Sequence, residues 1–364
     1  MTDRDVRMAG MVHVEESNRL VGDPLRSRFS ALLLAGGLQP SPLRETLRLP
    51  ALCLPLARDE TLLDRWIALL LKTPGCHRIV ILVSTFADQQ AIEAALMDRS
   101  VHSRADDESI EVRIDPRKFR GPSGLARDLI DDLGLRSADY MLIVEAACMP
   151  PLTLAPMFDA IDDEIAGVIG SSTELEPAGV YLFRRTTLEQ IPKVGFHDLK
   201  EQTLPMLYAN GQRCRMARIV PGVRRLRDRV SYLTVVGEER LSAERRVQDD
   251  GVEALLSPSA RVAGTCLVCD DVVVEDGAVL HESVVLNGAV VGGGAVISRS
   301  VVGPGVRVAA RSIVRSEVLS GSGAAGDETV RRRVHRTVLR PGGHVNGVSN
   351  QQLPLLRGRE DVHG

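Results

Sequence analysis

The sequence predicts an α/β protein in two parts, a mostly parallel sheet flanked by helices followed by a parallel β-helix of hexapeptide repeats. Three observations predict it. Short apolar runs alternate with helical periods from Phe29 to about residue 235. From Leu256 onward the period changes to six residues, opened by an aliphatic side chain. Aromatic residues make up only 3% of the 364, so Val, Leu, Ile and Ala must fill the cores, which suits narrow, regular elements.

The elements follow in order. FSALLLAGG is a short apolar run ending in paired glycines, the form of a buried parallel strand that feeds a loop with exposed backbone. TLLDRWIALLLKT and DQQAIEAALMDR have helical spacing, and HRIVILVS between them reads as a second buried strand. ESIEVRID, GLARDLIDDLG and DYMLIVEAA continue the alternation, which implies a doubly wound sheet with ligands at the carboxyl ends of its strands. From Phe158 the runs FDAIDDEIAGVIGSS, AGVYLFRR, TTLEQIP, DLKEQTLPMLYANG and RCRMARIV remain mixed α/β. The polar GEERLSAERRVQDDG then reads as a linker.

Between Leu256 and Leu319 the chain divides into LSPSAR, VAGTCL, VCDDVV, VEDGAV and LHESVV, then, after a phase slip, VGGGAV, ISRSV, VGPGVR, VAARSI and VRSEV. Ala260, Cys266, Val272, Ala278, Val284, Ala295, Val301, Val306, Ser312 and Val318 are the small or β-branched residues four places after each aliphatic opening. Three short strands per coil make a triangular prism in which the aliphatic stacks inward and the small residue fits beside a corner. Known repeats of this kind coil left-handed, against the usual crossover hand. The division expected is therefore a leader over 1–28, an α/β domain over 29–235, a linker over 236–255, the β-helix over 256–320 and a flexible basic tail over 321–364.

The net charge of −3 gives no general reason to bind nucleic acid or an anionic membrane, and no run is long and apolar enough to span a bilayer. The leader lacks a signal-peptide apolar run. Six scattered cysteines favour a reduced, cytoplasmic setting. Cys266 and Cys269 form the one CxxC, and without a second pair they read as buried thiols rather than zinc ligands. The arginines of the tail (Arg331, Arg332, Arg333, Arg336, Arg340) read as a solvated charge run.

An LLLAGG strand end, a GxxGLARD loop and helix, an AGVY strand, a DLKEQTLPML helix and trailing hexapeptides, in that order, resemble the sugar-phosphate nucleotidyltransferases, or NDP-sugar pyrophosphorylases. The resemblance covers Phe29 to Leu319 and implies a Rossmann-like nucleotidyltransferase domain. A plain dinucleotide-binding fold would need GxGxxG after the first strand, which LAGGLQPS lacks. In that family a sugar 1-phosphate attacks the α-phosphorus of a nucleoside triphosphate and pyrophosphate leaves, assisted by backbone N–H groups, an Arg, a Lys and Mg²⁺ on aspartates. By resemblance, Leu34, Ala35, Gly36, Gly37, Gly121 and Gly124 contact the nucleotide, and Ala178 and Gly179 contact the sugar, with Pro177 in place of the asparagine.

Much of the family's charged machinery is absent. Gln39 replaces the second phosphate-loop glycine, Ser41 or a neighbour the arginine, and Pro40 and Pro42 remove two N–H donors. Ala51 stands at the lysine position, Ala146 and Ala147 at the first metal aspartate, and Leu226 at the second. The EKP sugar-binding stretch is missing. Glu145 is expected to point to the other face of its strand by alternation, and neither Arg44 nor Arg48 occupies the arginine position. The pocket is therefore expected to lack positive side chains and metal-holding carboxylates. Each missing phosphate-stabilising cation costs about 10³-fold in rate, roughly 4 kcal/mol of barrier.

The reading that follows is a catalytically degenerate homologue, with no catalytic or metal residue assigned and a regulatory or structural role. Its implied ligand is a nucleoside triphosphate or nucleotide sugar, with Mg²⁺ only if it is active. An active transferase with relocated groups (Arg44, Arg48, Arg127 or Asp228) is the first alternative. A hexapeptide acyltransferase using His281 as general base is the second. The flat faces and open coil ends of a β-helix call for a homo-oligomer, or a hetero-oligomer with an active paralogue.

Overall fold

The computed structural model describes residues 28–36, 41–97, 110–115, 120–132, 139–244 and 255–321. Gly37, most of the leader and nearly all of the basic tail lie outside the described residues.

The first apolar runs form β1 (Phe29–Leu34), α1 (Pro42–Leu47), a hairpin of β2 (Pro55–Ala57) and β3 (Glu60–Thr61), and α2 (Leu62–Lys72). The last of these starts where it does because Thr61 caps it. The Thr61 hydroxyl accepts from the Asp64 amide, and the Asp64 carboxylate accepts from the Thr61 amide at 2.5 Å. Leu62, Leu63, Trp66, Ile67 and Leu70 are its buried residues. Then come β4 (Cys76–Val83), α3 (Phe86–Met97), β5 (Ile110–Ile114), α4 (Gly121–Asp132) and β6 (Tyr140–Glu145). They are followed by α5 (Ala155–Asp159), β7 (Ile165–Ser172), β8 (Pro177–Arg184), α6 (Arg185–Leu188), α7 (Leu204–Ala209), β9 (Arg213–Val220) and α8 (Arg229–Glu244).

Seven strands make one sheet in the order β5-β4-β1-β6-β8-β7-β9. Only β8 runs against its neighbours, β6 and β7. The sheet is thus mostly parallel, as expected for this alternation of elements. Its two faces carry separate cores: Leu142, Val144 and Ala146 face one, and Met141 and Ile143 the other. Buried on the second side is most of α4, from Gly121 to Ile130, where Arg120 makes a two-pronged pair with Asp128 at 2.9 and 3.0 Å.

The stretch expected to be a linker, 236–255, begins inside α8. Tyr232, Val235 and Val236 are buried in the first core at helical spacing, so the helix is anchored by its apolar face and carries the polar GEER run with it.

The repeat segment opens with β10 (Leu255–Leu256), β11 (Arg261–Ala263) and β12 (Leu267–Val268). It continues through β13 (Val273–Val274), β14 (Val279–His281), β15 (Val284–Val285), β16 (Val290–Val291), β17 (Val296–Ser298), β18 (Val301–Val302), β19 (Arg307–Val308), β20 (Ile313–Arg315) and β21 (Val318–Leu319). Every strand pairs in parallel with the one three places on, giving three four-stranded sheets, an arrangement compatible with a β-helix. Val274, Leu280, Val291, Ile297, Val302, Val308 and Val314 fill the interior with Cys266, Val272, Ala278, Ala295 and Val306.

The phase slip proves regular. It recurs at one corner of successive coils, where Glu282, Arg299 and Ser316 adopt positive φ. Ser283 and Ser300, both buried, stack there 17 residues apart: the Ser283 hydroxyl accepts from the Ser300 amide at 3.1 Å, and the Ser300 hydroxyl from the Glu317 amide at 3.2 Å. Each serine hydroxyl supplies a partner that the shortened corner would otherwise deny the backbone. Val284 and Val301, with Val318 packed beside them, behave differently from the small-position residues of the interior. They belong to the core of the α/β sheet, together with Leu267 and Leu286, so this face of the repeat segment is apolar on both sides.

Candidate functional site

A cavity of about 460 Å³ opens at the carboxyl ends of β1 and β6, where a doubly wound sheet places its ligands. Leu34 and Ala35 come from β1 and the residue after it, Glu145, Ala146 and Ala147 from β6 and the turn beyond, and Tyr181 from β8. Ala51, at the lysine position of the resemblance, also lines it, as does Ala146, at the first aspartate position. Two of the positions at which the resemblance would place charged groups, Ala51 and Ala146, therefore open on one space, while Leu226 is buried in the core.

That space is not without charge, which corrects the expectation drawn from the motifs. Arg44, Lys200 and Arg227 line it, with Glu145, Asp198 and Glu201. Arg44 does not stand at the family's arginine position, yet it reaches the first glycine after β1. It does so because α1 turns it inward: its guanidinium donates to the Gly36 carbonyl at 3.1 Å and to the buried Asp88 at 2.5 Å. Ser84 donates to the same carbonyl, and its hydroxyl lies 2.5 Å from where a Cβ on Gly36 would be, too close for one. Gly36 is thus tied to the end of β4 and, through Arg44 and Asp88, to α3. Arg48 instead ends α1 in a left-handed conformation.

Glu145 also corrects a reading. Alternation does put it on the opposite face from Ala146, but it sits at the strand end, so both residues border the cavity. The Tyr181 hydroxyl donates to its carboxylate at 3.2 Å, and Lys200, Arg225 and Arg227 lie 3.6, 3.8 and 4.0 Å from it. Burial, then the Glu145 charge and hydrogen bond, push the Tyr181 phenol well above its ordinary value, so it remains a donor. Cys148 below it is pushed up to about 12, chiefly by burial, and is no nucleophile.

The arginines arrive by strand-like pairing. The Leu226 amide donates to the Ala147 carbonyl and the Met149 amide to the Arg224 carbonyl, with a bridge between Cys148 and Arg225. Leu226 is consequently fully buried in the core while its two neighbours turn towards Glu145. The alternation of RRLRDR carries this signal in the sequence.

The remaining residues fall outside the cavity wall. Gly121 has φ of +70°, and a Cβ there would meet the His197 carbonyl at 2.6 Å, while Gly124 lies against Arg120. Pro122 is the residue of that helix start which reaches the cavity. Ala178 is buried, and Gly179, at φ +76°, lies where a Cβ would strike Cys148 and Glu145, so both support the floor. Arg127 is buried in α4 and paired with Asp131. Asp228 accepts from the Ser231 amide at the start of α8. His281 lies on the outside of the repeat segment beside Glu282. All six cysteines are free, and Cys266 and Cys269 are buried, with Cys269 pushed up to about 12 by burial.

The donor set does not suit magnesium. Alanine and leucine stand at both aspartate positions, and among the described residues no group of three or more His, Cys, Asp or Glu side chains converges on a metal-sized space. Asp198 is committed to the Lys200 and Glu201 amides at 2.7 and 2.9 Å. Among the described residues no helix is long and apolar enough to cross a membrane. Compared with family models and with curated proteins, the chain matches none.

Proposed function

We propose that this chain is a nucleotidyltransferase-like protein of nucleotide-sugar metabolism that binds a nucleotide or nucleotide sugar in the cavity at the ends of β1 and β6 and turns it over poorly or not at all. Its C-terminal repeats form a left-handed β-helix in this reading, and the protein acts in the cytoplasm as a regulatory or structural partner. The observation that carries the reading is the convergence of Ala51 and Ala146 on one cavity beside the glycine loop. A phosphoryl-transfer site depends on charge neutralisation more than on any covalent chemistry. Here the position that would bring a lysine to the phosphates and the position that would hold their metal ion carry methyl groups. The cavity volume, about 460 Å³, lies within the range of small-ligand sites.

The active alternative has one observation in its favour, the arrival of Arg44 at the Gly36 carbonyl. Asp88 already neutralises that guanidinium, which weakens it as a phosphate clamp. One pair of measurements decides. Pyrophosphate release across a panel of nucleoside triphosphates and sugar 1-phosphates with Mg²⁺ is expected to stay at the level of heat-killed protein, whereas thermal-shift screening with nucleotide sugars is expected to raise Tm. Clear turnover ends the degenerate reading, and the absence of any stabilising nucleotide or nucleotide sugar ends the binding reading.

The outer faces of the repeats support assembly. Val279, Val296 and Ile313 form a laddered row on one of them, and Ile313 is exposed. A homo-oligomer, or a hetero-oligomer with an active paralogue, is proposed to cover such a surface. Sedimentation showing only monomer at micromolar concentration opposes the homo-oligomer.

A further inference from the structure

We infer that the cavity takes the phosphates of its ligand on Lys200 and Arg227 without a metal ion, and that Glu145 is the internal counter-ion these phosphates displace. This rests on the binding reading above and adds to it the chemistry of the subsite.

The argument starts from what each charge near Glu145 is already doing. Arg44 is matched by Asp88 at 2.5 Å, and Arg225 by Glu176 at 2.8 Å, with a further bond from Arg225 to the Pro177 carbonyl. Asp198 is held by two backbone amides at the start of the Leu199–Thr203 turn. Lys200 and Arg227 remain, and the acidic contact of both is Glu145, at 3.6 and 4.0 Å. Those separations exceed hydrogen-bond length. The two cations therefore converge on one carboxylate without bonding it closely, and each keeps N–H donors for another acceptor. Arg225 repeats the pattern from behind. Its Nε is buried, has no hydrogen-bond partner and lies 3.8 Å from Glu145.

One carboxylate facing three cations and a phenol is the arrangement an anionic ligand would meet. A phosphate brings more charge and more acceptor oxygens than a carboxylate, and the guanidinium fork of Arg227 suits it. Glu145 keeps the Tyr181 hydroxyl, the Cys148 thiol and Arg225 as partners when Lys200 and Arg227 turn to the phosphate. The same geometry explains why no metal is required. A magnesium ion would supply positive charge to the phosphates. Here two side chains supply it, and the positions that would hold the ion are Ala146 and Leu226.

Isothermal titration of the full-length protein with inorganic pyrophosphate, in EDTA and again in excess Mg²⁺, tests the inference. Pyrophosphate is expected to bind in EDTA. Lys200→Ala and Arg227→Ala should each weaken it on the order of tenfold or more, the range of a charge-assisted hydrogen bond. Glu145→Gln should tighten it by about tenfold, since it keeps the side-chain shape and removes the competing charge. Both Lys200 and Arg227 are partly exposed, so their alanine variants should fold, which far-ultraviolet circular dichroism checks. Binding that requires Mg²⁺ overturns the inference, as does binding indifferent to Lys200→Ala and Arg227→Ala, or no gain from Glu145→Gln. The broader reading fails separately, if no nucleotide or nucleotide sugar stabilises either the wild type or the Glu145→Gln variant. If nucleotide sugars bind and both alanine variants bind them equally well, the cavity reading survives and the phosphate subsite does not.

Discussion

In the repeat segment a residue's place is set by its neighbour one coil away: Val274 lies under Val291, Leu280 under Ile297, and Ser283 under Ser300. At the cavity the neighbours come from distant parts of the chain, and Glu145 meets Tyr181, Lys200, Arg225 and Arg227 with no period relating them. The difference teaches where stability and chemistry are separated in this molecule. Interior coil positions are apolar and closely stacked, so changes there should act on folding. Lys200 and Arg227 at the cavity are part-exposed and loosely paired, so changes there should act on ligands and leave stability nearly unaltered.

The largest effect should come where the two regions share a core. Trp66 is fully buried on α2, and its indole N–H donates to the Cys148 carbonyl at 2.9 Å, directly beneath the cavity turn. Trp66→Ala removes that burial and leaves the carbonyl without its partner, for an expected loss of about 3–5 kcal/mol in urea unfolding. A loss below about 1 kcal/mol would show that the core has collapsed around the gap and that the cavity does not depend on it. Ile297→Ala, inside the coil stack, should cost about 2–5 kcal/mol by the same measurement. Pyrophosphate affinity in the surviving folded fraction should be unchanged. A parallel loss of affinity would break the separation between the two regions.

How much of this was readable in the sequence follows the same division. The alternation of buried runs and helical spacings places the strands from Phe29 to Val220 in a mostly parallel sheet, because those patterns are local. The hexad gave the interior rows for the same reason. Its phase slip appeared as an irregularity, since LHESVV hides that the shortened corner is tied by Ser283 and Ser300 across coils. The cavity wall was legible at Leu34, Ala35 and Ala51, which the motifs single out. Of its cationic side chains only Arg44 was named, as a relocated group, and Lys200 and Arg227 were missed. Strand alternation assigns Glu145 a face but not a depth, and at a strand's last residue depth decides what it meets. Arg44 was judged by its distance from the family position, although a short helix capped by Ser41 returns it to Gly36. Arg227 required knowing that the chain pairs with Ala147 through Leu226, a contact 79 residues apart in sequence: the alternation of RRLRDR separates the two faces but does not name the partner strand.

The smallest effect concerns Asp228 and sharpens the comparison by testing a carboxylate that stands just outside the cavity. Its oxygen accepts from the Ser231 amide at 2.8 Å, and the Ser231 hydroxyl accepts from the Asp228 amide at 3.1 Å, a reciprocal cap on α8. These bonds hold its carboxyl below the usual value. A carboxyl lowered in the folded state binds its proton less readily there than in the unfolded chain. Its stabilisation is therefore full above the unfolded value of about 3.9 and is lost as pH falls through the lower folded value. Asp228→Asn should cost about 0.5–1 kcal/mol at neutral pH, and the gap between variant and wild type should narrow as pH drops below about 4. Thermal unfolding of both proteins across that range measures it. A gap that stays constant with pH would show that the effect does not come from the carboxylate's charge at the helix start. If Asp228→Asn also altered pyrophosphate affinity in EDTA, the carboxylate would belong to the cavity after all, and the line drawn between stabilising and ligand-facing charges would have to move past the start of α8.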